Sequence, residues 1–233
     1  MDVTTWYLEQ TSRTDLLTAK QPSIEIGVVL SEVPSPEFSR FLYTAVGGEW
    51  NWTSRLPWTW QRWADWLDRG VETWVAYHRG TPAGYAELMA QDDATVEITC
   101  FGLLPWAIGK GVGGHLLESV TARAWDIAGH RPDREPTRRV WLHTCSLDGP
   151  VALANYQARG FRIYDSKMNV PGDLHEGATP GPWPGATRDR LVRPTPRPIA
   201  DSPGDAPADG LEVSGALGMV SSLGIMFGHS FPA

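Results

Sequence analysis

The sequence has little cysteine, no long hydrophobic run and no excess of positive charge. Its 233 residues include two cysteines, Cys100 and Cys145, and both lie inside apolar runs that predict strands. Two buried thiols of this kind favour a reducing compartment over a disulfide framework. They give no support to a metal site, and we expect no metal.

Membranes and nucleic acids are also disfavoured as partners. No apolar run approaches the ~18 residues of a membrane span, and residues 1–10 lack the basic start and apolar stretch of a secretory signal. The formal net charge of −7 disfavours a general phosphate-binding surface of the kind that binds nucleic acid. We therefore expect a cytoplasmic protein that binds neither membrane nor nucleic acid. A cation or an amine would suit its charge better.

Tryptophan, proline and glycine are, by contrast, abundant, with 12, 19 and 24 residues. After residue 170 the composition shifts to proline, glycine, alanine and aspartate, with few large apolar residues to stabilise a fold. The sequence therefore predicts a flexible tail over 171–233. A globular domain is expected over 24–170, preceded by an N-terminal extension over 1–23 that contains a short strand at 4–10.

Hydrophobic periodicity predicts an α/β fold in which the elements follow the order βααβββαβαβ. Short polar turns at 79–82 and 91–93 favour an antiparallel arrangement of the central strands. Helices are expected over 35–48, 59–68, 111–129 and 151–159. Strands are expected over 24–30, 72–78, 83–89, 95–103, 140–147 and 161–168.

The clearest chemical signal is the segment VEITCFGLLPWAIGKGVGGHLLESV, in which a strand leads to a glycine-rich loop that opens a helix. Glycines have no Cβ, so the backbone can approach a pyrophosphate closely, and the helix dipole attracts the anion. Lys110 adds one positive charge to this loop. The glycines are Gly109, Gly111, Gly113 and Gly114.

The same glycines fit a second class of protein. Gly109, Gly111 and Gly114 satisfy the G-x-G-x-x-G fingerprint of dinucleotide-binding domains. The context disfavours this hypothesis, because antiparallel-looking strands precede the loop and the strand does not run directly into the first glycine. No Gly-Lys-Ser/Thr follows, which excludes a P-loop. An NAD-binding oxidoreductase is therefore the least favoured function.

Together with the downstream segment DGPVALANYQARGF, the strand and loop resemble the GNAT acetyltransferases over residues 24–170. The resemblance implies a mixed, mostly antiparallel central sheet flanked by helices. It also implies an N-acetyltransferase in which a small-molecule or peptide amine attacks acetyl-CoA directly, and it allows a homodimer. The alternative is a catalytically silent domain that binds or senses acyl-CoA.

The resemblance also assigns residues to the cofactor. The pantetheine arm would pair with the strand backbone at Phe101, Gly102 and Leu103, in the manner of an added β-strand. Ile108 stands where the family usually has Gln or Arg, and Asp148 precedes Gly149, which stands where the family often has Asn. The expected cofactor contacts in the loop and the second motif are Ile108, Gly109, Lys110, Gly111, Val112, Gly113, Gly114 and Asp148.

Two residues match the acid and base of the family. Glu97 matches the carboxylate that some members use as a base, and partial burial would raise its pKa toward neutrality. A strand Glu that faces solvent or pairs with Arg is the structural alternative. Tyr156 matches the proton donor to the departing thiolate, and a core aromatic residue with a bonded hydroxyl is its alternative.

The expected acceptor site involves aromatic side chains. Trp50, Trp52, Trp58 and Trp60 lie in the region that shapes the acceptor pocket in this family, and aromatic faces hold cations or flat apolar groups. Trp63 and Trp66 are assigned to the buried stripe of a helix. His143 is a candidate second base or substrate contact, although a core histidine is the commoner role, and Cys145 is interpreted as packing.

Overall fold

The computed structural model describes residues 3–50 and 52–169. Its strands are β1 (Val3–Gln10), β2 (Gly27–Leu30), β3 (Glu72–His78), β4 (Thr81–Ala90), β5 (Thr95–Leu103), β6 (Arg139–Cys145) and β7 (Arg162–Asn169). They form a seven-stranded sheet in the order β2-β3-β4-β5-β6-β1-β7. Neighbours pair antiparallel except β5 and β6, which run parallel. This mixed, mostly antiparallel sheet confirms the predicted fold class.

The helices are α1 (Pro36–Gly47), α2 (Trp60–Asp68), α3 (Val112–Trp125), α4 (Ile127–His130) and α5 (Ala152–Ala158). Side-chain caps fix the starts of the first two, because the Ser35 hydroxyl accepts a hydrogen bond from Phe38 N and the Thr59 hydroxyl accepts one from Arg62 N. The single helix predicted over 111–129 is divided at Asp126, where the backbone leaves helical geometry.

The apolar core lies on both faces of the sheet. Alternate residues of a strand point to opposite faces, and the neighbours Val75 and Ala76 of β3 accordingly belong to different clusters. One cluster packs the sheet against α3, and the other packs it against α1 and α2. The α3 side includes Leu8, Leu88, Leu116, Leu117, Val120 and Leu142, and the α1/α2 side includes Leu42, Tyr43, Val46, Trp63, Val75 and Tyr85.

The amino-terminal strand expected over 4–10 is β1, and it lies inside the sheet between β6 and β7. The segment that follows β1 packs against later parts of the chain. Ser23 N donates a hydrogen bond to the Lys110 carbonyl, and a Cβ on Gly160, whose φ is +89°, would lie 1.8 Å from the Asp15 carbonyl oxygen. Only glycine fits this second approach.

The flexible tail predicted over 171–233 lies outside the described residues. Within 3–50 and 52–169, no helix combines the length and apolar character needed to cross a membrane. The same residues hold no cluster of three or more His, Cys, Asp or Glu side chains with the spacing of a metal site.

Candidate functional site

A cleft opens where β5 and β6 separate. The two strands pair in parallel only from Thr95 opposite Arg139 to Glu97 opposite Trp141, although both continue further. The register between β4 and β5 shifts just beyond this point, which leaves Thr99 as an extra, bulged residue. Such bulges redirect a strand and often lie beside functional sites. The later half of β5 therefore has an edge that β6 does not cover.

The cleft forms a cavity of about 1450 Å³ that reaches from the glycine loop to the loop between α1 and α2. A cavity of this size exceeds the usual range for small-molecule sites, ~300–1,000 Å³. It therefore has room for two ligands side by side. One wall includes Phe101, Gly102, Leu103, Ile108, Gly109 and Gly113, and the other includes His143, Thr144, Asp148, Asn155 and Tyr156.

The glycine loop presents backbone to one end of the cavity. Gly109 and Gly111 have φ of +81° and +80°, a conformation that side chains other than glycine rarely adopt. Gly111 is the N-cap of α3, so unpaired N–H groups of the first turn lie at this end. Of the predicted loop contacts, Ile108, Gly109, Gly113 and Gly114 line the cavity.

Three of the predicted loop residues are placed elsewhere. Lys110 does not line the cavity, because its Nζ donates a hydrogen bond of 2.6 Å to the Trp106 carbonyl and lies 5.1 Å from the centre of the Trp106 ring. Val112 is fully buried in the core, and Gly111 packs against Pro22. The positive charge expected from Lys110 is therefore directed away from the cavity.

The loop after β6 is held by Asp148. Its Oδ2 accepts hydrogen bonds from Thr144 Oγ1 at 2.5 Å and from Cys145 N at 3.0 Å. Asp148 lines the cavity, as predicted for a cofactor contact, but these bonds also show that it orders the end of β6. This second role of Asp148 is not evident from the sequence alone.

Tyr156 lies on α5 with its side chain in the cavity wall. The residue is buried, and its ring meets that of Phe101 edge-on at 5.7 Å between centroids. Burial raises the pKa of the phenol well above its usual value, with smaller contributions from the negative charge of Asp148 and from Cys100. The hydroxyl therefore keeps its proton at every physiological pH.

Glu97 lies at the point where the strands separate. Its side chain is 12% exposed, lines the cavity, and accepts a hydrogen bond of 2.7 Å from Gln91 Nε2. Desolvation raises the pKa of this carboxyl, against the opposing effects of Arg55, Arg69 and the bond from Gln91. A raised pKa brings a carboxylate nearer to the basicity that proton abstraction requires.

His143 faces Glu97 from β6. Its Nδ1 lies 3.9 Å from Glu97 Oε1, and its ring opens to the cavity with 49% of the side chain exposed. Desolvation lowers the pKa of the imidazole, and the negative charge of Asp148 partly opposes this shift. His143 is thus not a core histidine. Cys145 also lines the cavity, but burial raises the pKa of its thiol, which makes it a poor nucleophile.

The tryptophans divide into two groups. Trp50 and Trp52 line the cavity, whereas Trp58 and Trp60 do not. Trp60 is 58% exposed and donates a hydrogen bond to Glu37, because its position at the start of α2 turns it towards α1. Trp58 packs against the rings of Trp63 and Trp66.

Trp66, assigned from the sequence to the buried stripe of α2, instead reaches the cavity. Trp63 is buried, as expected, in the cluster beneath α1 and α2. Helical periodicity alone did not distinguish these two residues of one stripe.

A buried ion pair that the sequence did not predict lies beside the end of the cavity formed by α1, α2 and the loop between them. Arg55 Nη1 donates a hydrogen bond of 2.6 Å to Glu87 Oε2, and Trp66 Nε1 donates to the same oxygen at 3.0 Å. Glu87 is fully buried, and Arg55 lines the cavity beneath the rings of Trp58 and Trp66. The only signal in the sequence is a Glu in an otherwise apolar strand.

Comparison with known proteins assigns the family. Residues 35–161, more than half of the chain, match the Acetyltransferase (GNAT) family. The chain belongs to this family, whose general activity is acetyl-CoA-dependent acyl transfer. A comparison with curated proteins found no match.

Solved structures share the fold. A GCN5-related N-acetyltransferase from Kribbella flavida is 18% identical, with a TM-score of 0.50 over 70% of this chain and 55% of that one. A GCN5-related N-acetyltransferase from Sphaerobacter thermophilus is 15% identical, with a TM-score of 0.52 over 71% of this chain and 50% of that one. The matched region thus spans about half the length of either neighbour. Identities this low support the fold and leave the acceptor open.

Proposed function

We propose that the protein is an N-acetyltransferase in which an amine attacks the thioester of bound acetyl-CoA directly. The observation that carries the proposal is the single cavity that joins the glycine loop, the uncovered edge of β5 and the carboxylate of Glu97. One cavity could therefore hold the pyrophosphate of the cofactor, its extended pantetheine arm and the reacting amine next to Glu97. The acceptor would enter from the side of the α1–α2 loop.

The cofactor would be held mainly by backbone. Its pyrophosphate would lie against Ile108, Gly109, Gly113 and Gly114, at the start of α3, where the helix dipole favours an anion. Its pantetheine arm would pair with the uncovered edge of β5 at 101–103, as an added strand pairs with a sheet. Lys110 has no part in this arrangement, because its ammonium is held by Trp106.

Glu97 would serve as the base. Attack requires a neutral nitrogen, and an alkylamine with a pKa near ~10 is mostly protonated at neutral pH. The nitrogen lone pair would form a C–N bond to the acetyl carbon while a proton passes from the amine to Glu97, directly or through water. The C–S bond would then break, and the sulfur of CoA would leave as a thiolate.

Tyr156 would stabilise the departing sulfur. Since its raised pKa makes complete proton transfer costly before cofactor binds, hydrogen-bond donation to the thiolate is the role that its chemistry favours. The thiolate would then take up a proton from water and become the free thiol of CoA, while Glu97 would return the proton of the amine to water. The products would be an acetamide and CoA.

We place this activity in a reducing compartment such as the cytoplasm, an assignment supported by the two cysteines. Both are free thiols, and burial raises the pKa of Cys100 to about 12. The buried thiol therefore stays protonated and inert.

Calorimetric titration with acetyl-CoA, followed by CoA thiol release against a panel of amines, tests the proposal. Binding at micromolar concentration with amine-dependent release is the expected result. Binding without release from any amine would replace the transferase by an acyl-CoA sensor. Failure to bind acetyl-CoA would overturn the assignment of the glycine loop.

A further inference from the structure

Two hydrogen bonds in series reach Glu97 from outside the cavity. Gln91 Nε2 donates to Glu97 Oε2 at 2.7 Å, and Trp141 Nε1 donates to Gln91 Oε1 at 3.0 Å. Glu97 lines the cavity, whereas Gln91 and Trp141 do not. The two outer residues therefore act on a bound acceptor only through Glu97.

The indole of Trp141 fixes the orientation of the Gln91 amide. An amide side chain has a donor end and an acceptor end, whereas an indole N–H can only donate. Trp141 therefore requires the amide oxygen on its own side, and this turns the NH₂ group of Gln91 towards the carboxylate. The reversed amide would place an oxygen against Glu97 Oε2 and an N–H against an N–H, so both bonds would be lost.

The backbone brings the three side chains together. Glu97 and Trp141 are direct partners in the short parallel pairing of β5 with β6. Gln91 immediately follows β4, and its N–H donates a hydrogen bond of 2.8 Å to the Thr95 carbonyl across the turn that leads into β5. The two hydrogen bonds thus lie where β4, β5 and β6 meet, just before the cleft opens.

The bond from Gln91 makes the two carboxylate oxygens of Glu97 different. Oε2 accepts the amide N–H, whereas Oε1 accepts no hydrogen bond from the described part of the chain and lies 3.9 Å from His143 Nδ1. Desolvation disfavours the ionised form of a carboxyl, and hydrogen-bond donation to that form opposes the effect. One bond thus favours the basic form of Glu97 and also leaves Oε1 as the oxygen that can take a proton.

We infer, on the basis of the proposed function, that Gln91, held by Trp141, is a positioning residue for the base and that Glu97 Oε1 takes the proton of the amine. An N–H bond of the amine breaks and an O–H bond forms at Oε1, while Gln91 keeps its bond to Oε2. Neither Gln91 nor Trp141 gains or loses a proton.

Other groups around Glu97 form the background for a test by titration. Burial raises the pKa of the Glu97 carboxyl, whereas Arg55 and Arg69 lower it. His143 faces the carboxyl from β6. Cys100 lies on the same strand, and its raised pKa of about 12 keeps its thiol neutral. A substitution that removes only the amide leaves all four groups in place.

Gln91→Met keeps the length of the side chain and removes the donor. Because the amide bond lowers the pKa of Glu97, we expect the acidic limb of kcat/KM to move to higher pH. We also expect kcat above that limb to fall about tenfold, as for a misplaced base. Gln61→Met is the matched control, because Gln61 Nε2 also donates to a carboxylate, that of Asp65, but outside the cavity. It should change neither quantity.

Trp141→Phe tests the second bond in a double-mutant cycle. Alone, it should move the acidic limb in the same direction as Gln91→Met, because the amide becomes free to turn away. In the Gln91→Met background it should move the limb no further. Trp74→Phe, which removes an indole N–H bonded to Glu72 elsewhere in the sheet, should not move the limb. Equal shifts with and without Gln91 would show that Trp141 acts by packing and would overturn the inference.

A measurement without turnover separates this inference from the proposed function. The carboxyl carbon of Glu97 can be titrated by carbon NMR in protein labelled at its glutamate carboxyls, as the signal that Glu97→Gln lacks. We expect its midpoint to move to higher pH in Gln91→Met. An unmoved midpoint would overturn the inference even where the protein acetylates amines. A moved midpoint without acetylation of any amine would refute the transferase, and with it the role of Oε1.

Discussion

Glu97 and His143 face each other across the point where β5 and β6 separate, with Oε1 3.9 Å from Nδ1. Burial raises the pKa of Glu97 above its ordinary 4.5 and lowers the pKa of His143 below its ordinary 6.5. The two groups therefore titrate closer together than free side chains do.

The pH dependence of the reaction should follow from this pair. As pH falls through the raised pKa of Glu97, the carboxylate gains a proton and the base is lost, so kcat/KM should fall at a higher pH than for an ordinary Glu. Glu97→Gln should lower kcat by about 10²-fold or more and remove this acidic limb. The measurement is a pH profile of kcat/KM, corrected for ionisation of the acceptor amine.

His143→Gln separates the two groups of this pair. If Glu97 is the base, the acidic limb should persist in His143→Gln, because burial, the main cause of the raised pKa of the carboxyl, does not depend on the imidazole. A limb that disappears in His143→Gln and stays in Glu97→Gln would transfer the role to the imidazole.

Removal of the Tyr156 hydroxyl should affect turnover rather than cofactor affinity. Tyr156→Phe keeps the buried ring and its contact with Phe101 but cannot donate to the leaving sulfur. We expect kcat to fall at least about tenfold, as for loss of one donor to a developing anion, with little change in the Kd of acetyl-CoA. An unchanged kcat would show that Tyr156 only packs.

A methyl group on Gly113 should obstruct the cofactor without harming the fold. A Cβ there would make ordinary contacts of 3.5 Å with Leu103 and 3.7 Å with Asn155, and alanine stabilises a helix by ~1 kcal/mol relative to glycine. Gly113→Ala should therefore keep or raise Tm while it weakens acetyl-CoA binding about tenfold or more, because the backbone can no longer approach the pyrophosphate. Calorimetry and thermal unfolding measure the two effects.

Gly129→Ala supplies the control for this substitution. Gly129 lies in α4, and a Cβ there would meet nothing within 4 Å. Its replacement should leave acetyl-CoA affinity unchanged. Equal affinities for both variants would remove Gly113 from the cofactor site.

Loss of the buried charge of Glu87 should destabilise the protein strongly. Glu87→Gln has nearly the same shape but leaves the guanidinium of Arg55 without its counter-charge, and breaking a buried ion pair costs ~3–5 kcal/mol. Urea denaturation should show this loss as a lower midpoint. Glu37→Gln, which changes an exposed carboxylate bonded to Trp60, should leave the midpoint unchanged. An unchanged urea midpoint for Glu87→Gln would mean that another anionic group neutralises Arg55.

Local patterns predicted the elements of the fold, and long-range contacts account for what they did not predict. Apolar alternation and glycine placement located β5, the glycine loop and α3, since those signals lie within neighbouring residues. Position in the chain does not determine which way a side chain turns. Lys110 lies in the glycine loop, yet its ammonium donates a hydrogen bond to the carbonyl of Trp106, four residues earlier.

The end of the cavity beside α1 and α2 was the least predictable part of the site. The pair of Arg55 and Glu87 joins residues 32 positions apart, and nothing in either local sequence indicates the other. For the same reason, the sequence could not distinguish Trp50 and Trp52, which line the cavity, from Trp58 and Trp60, which do not. Each of these placements depends on how α1 and α2 pack on the sheet.

The position of β1 has a consequence for synthesis. Thr5 pairs with Cys145 and also with Lys167, so β1 is synthesised long before β6 and β7, the two strands that it pairs with. Contacts across so much chain form late and slowly. During translation, β1 therefore stays unpaired until β6 has emerged from the ribosome. The cavity wall that contains His143 can form only after that point. A fragment that began at residue 35, where the family match starts, would contain Glu97 and Tyr156 but would lack the strand that holds β6 in place.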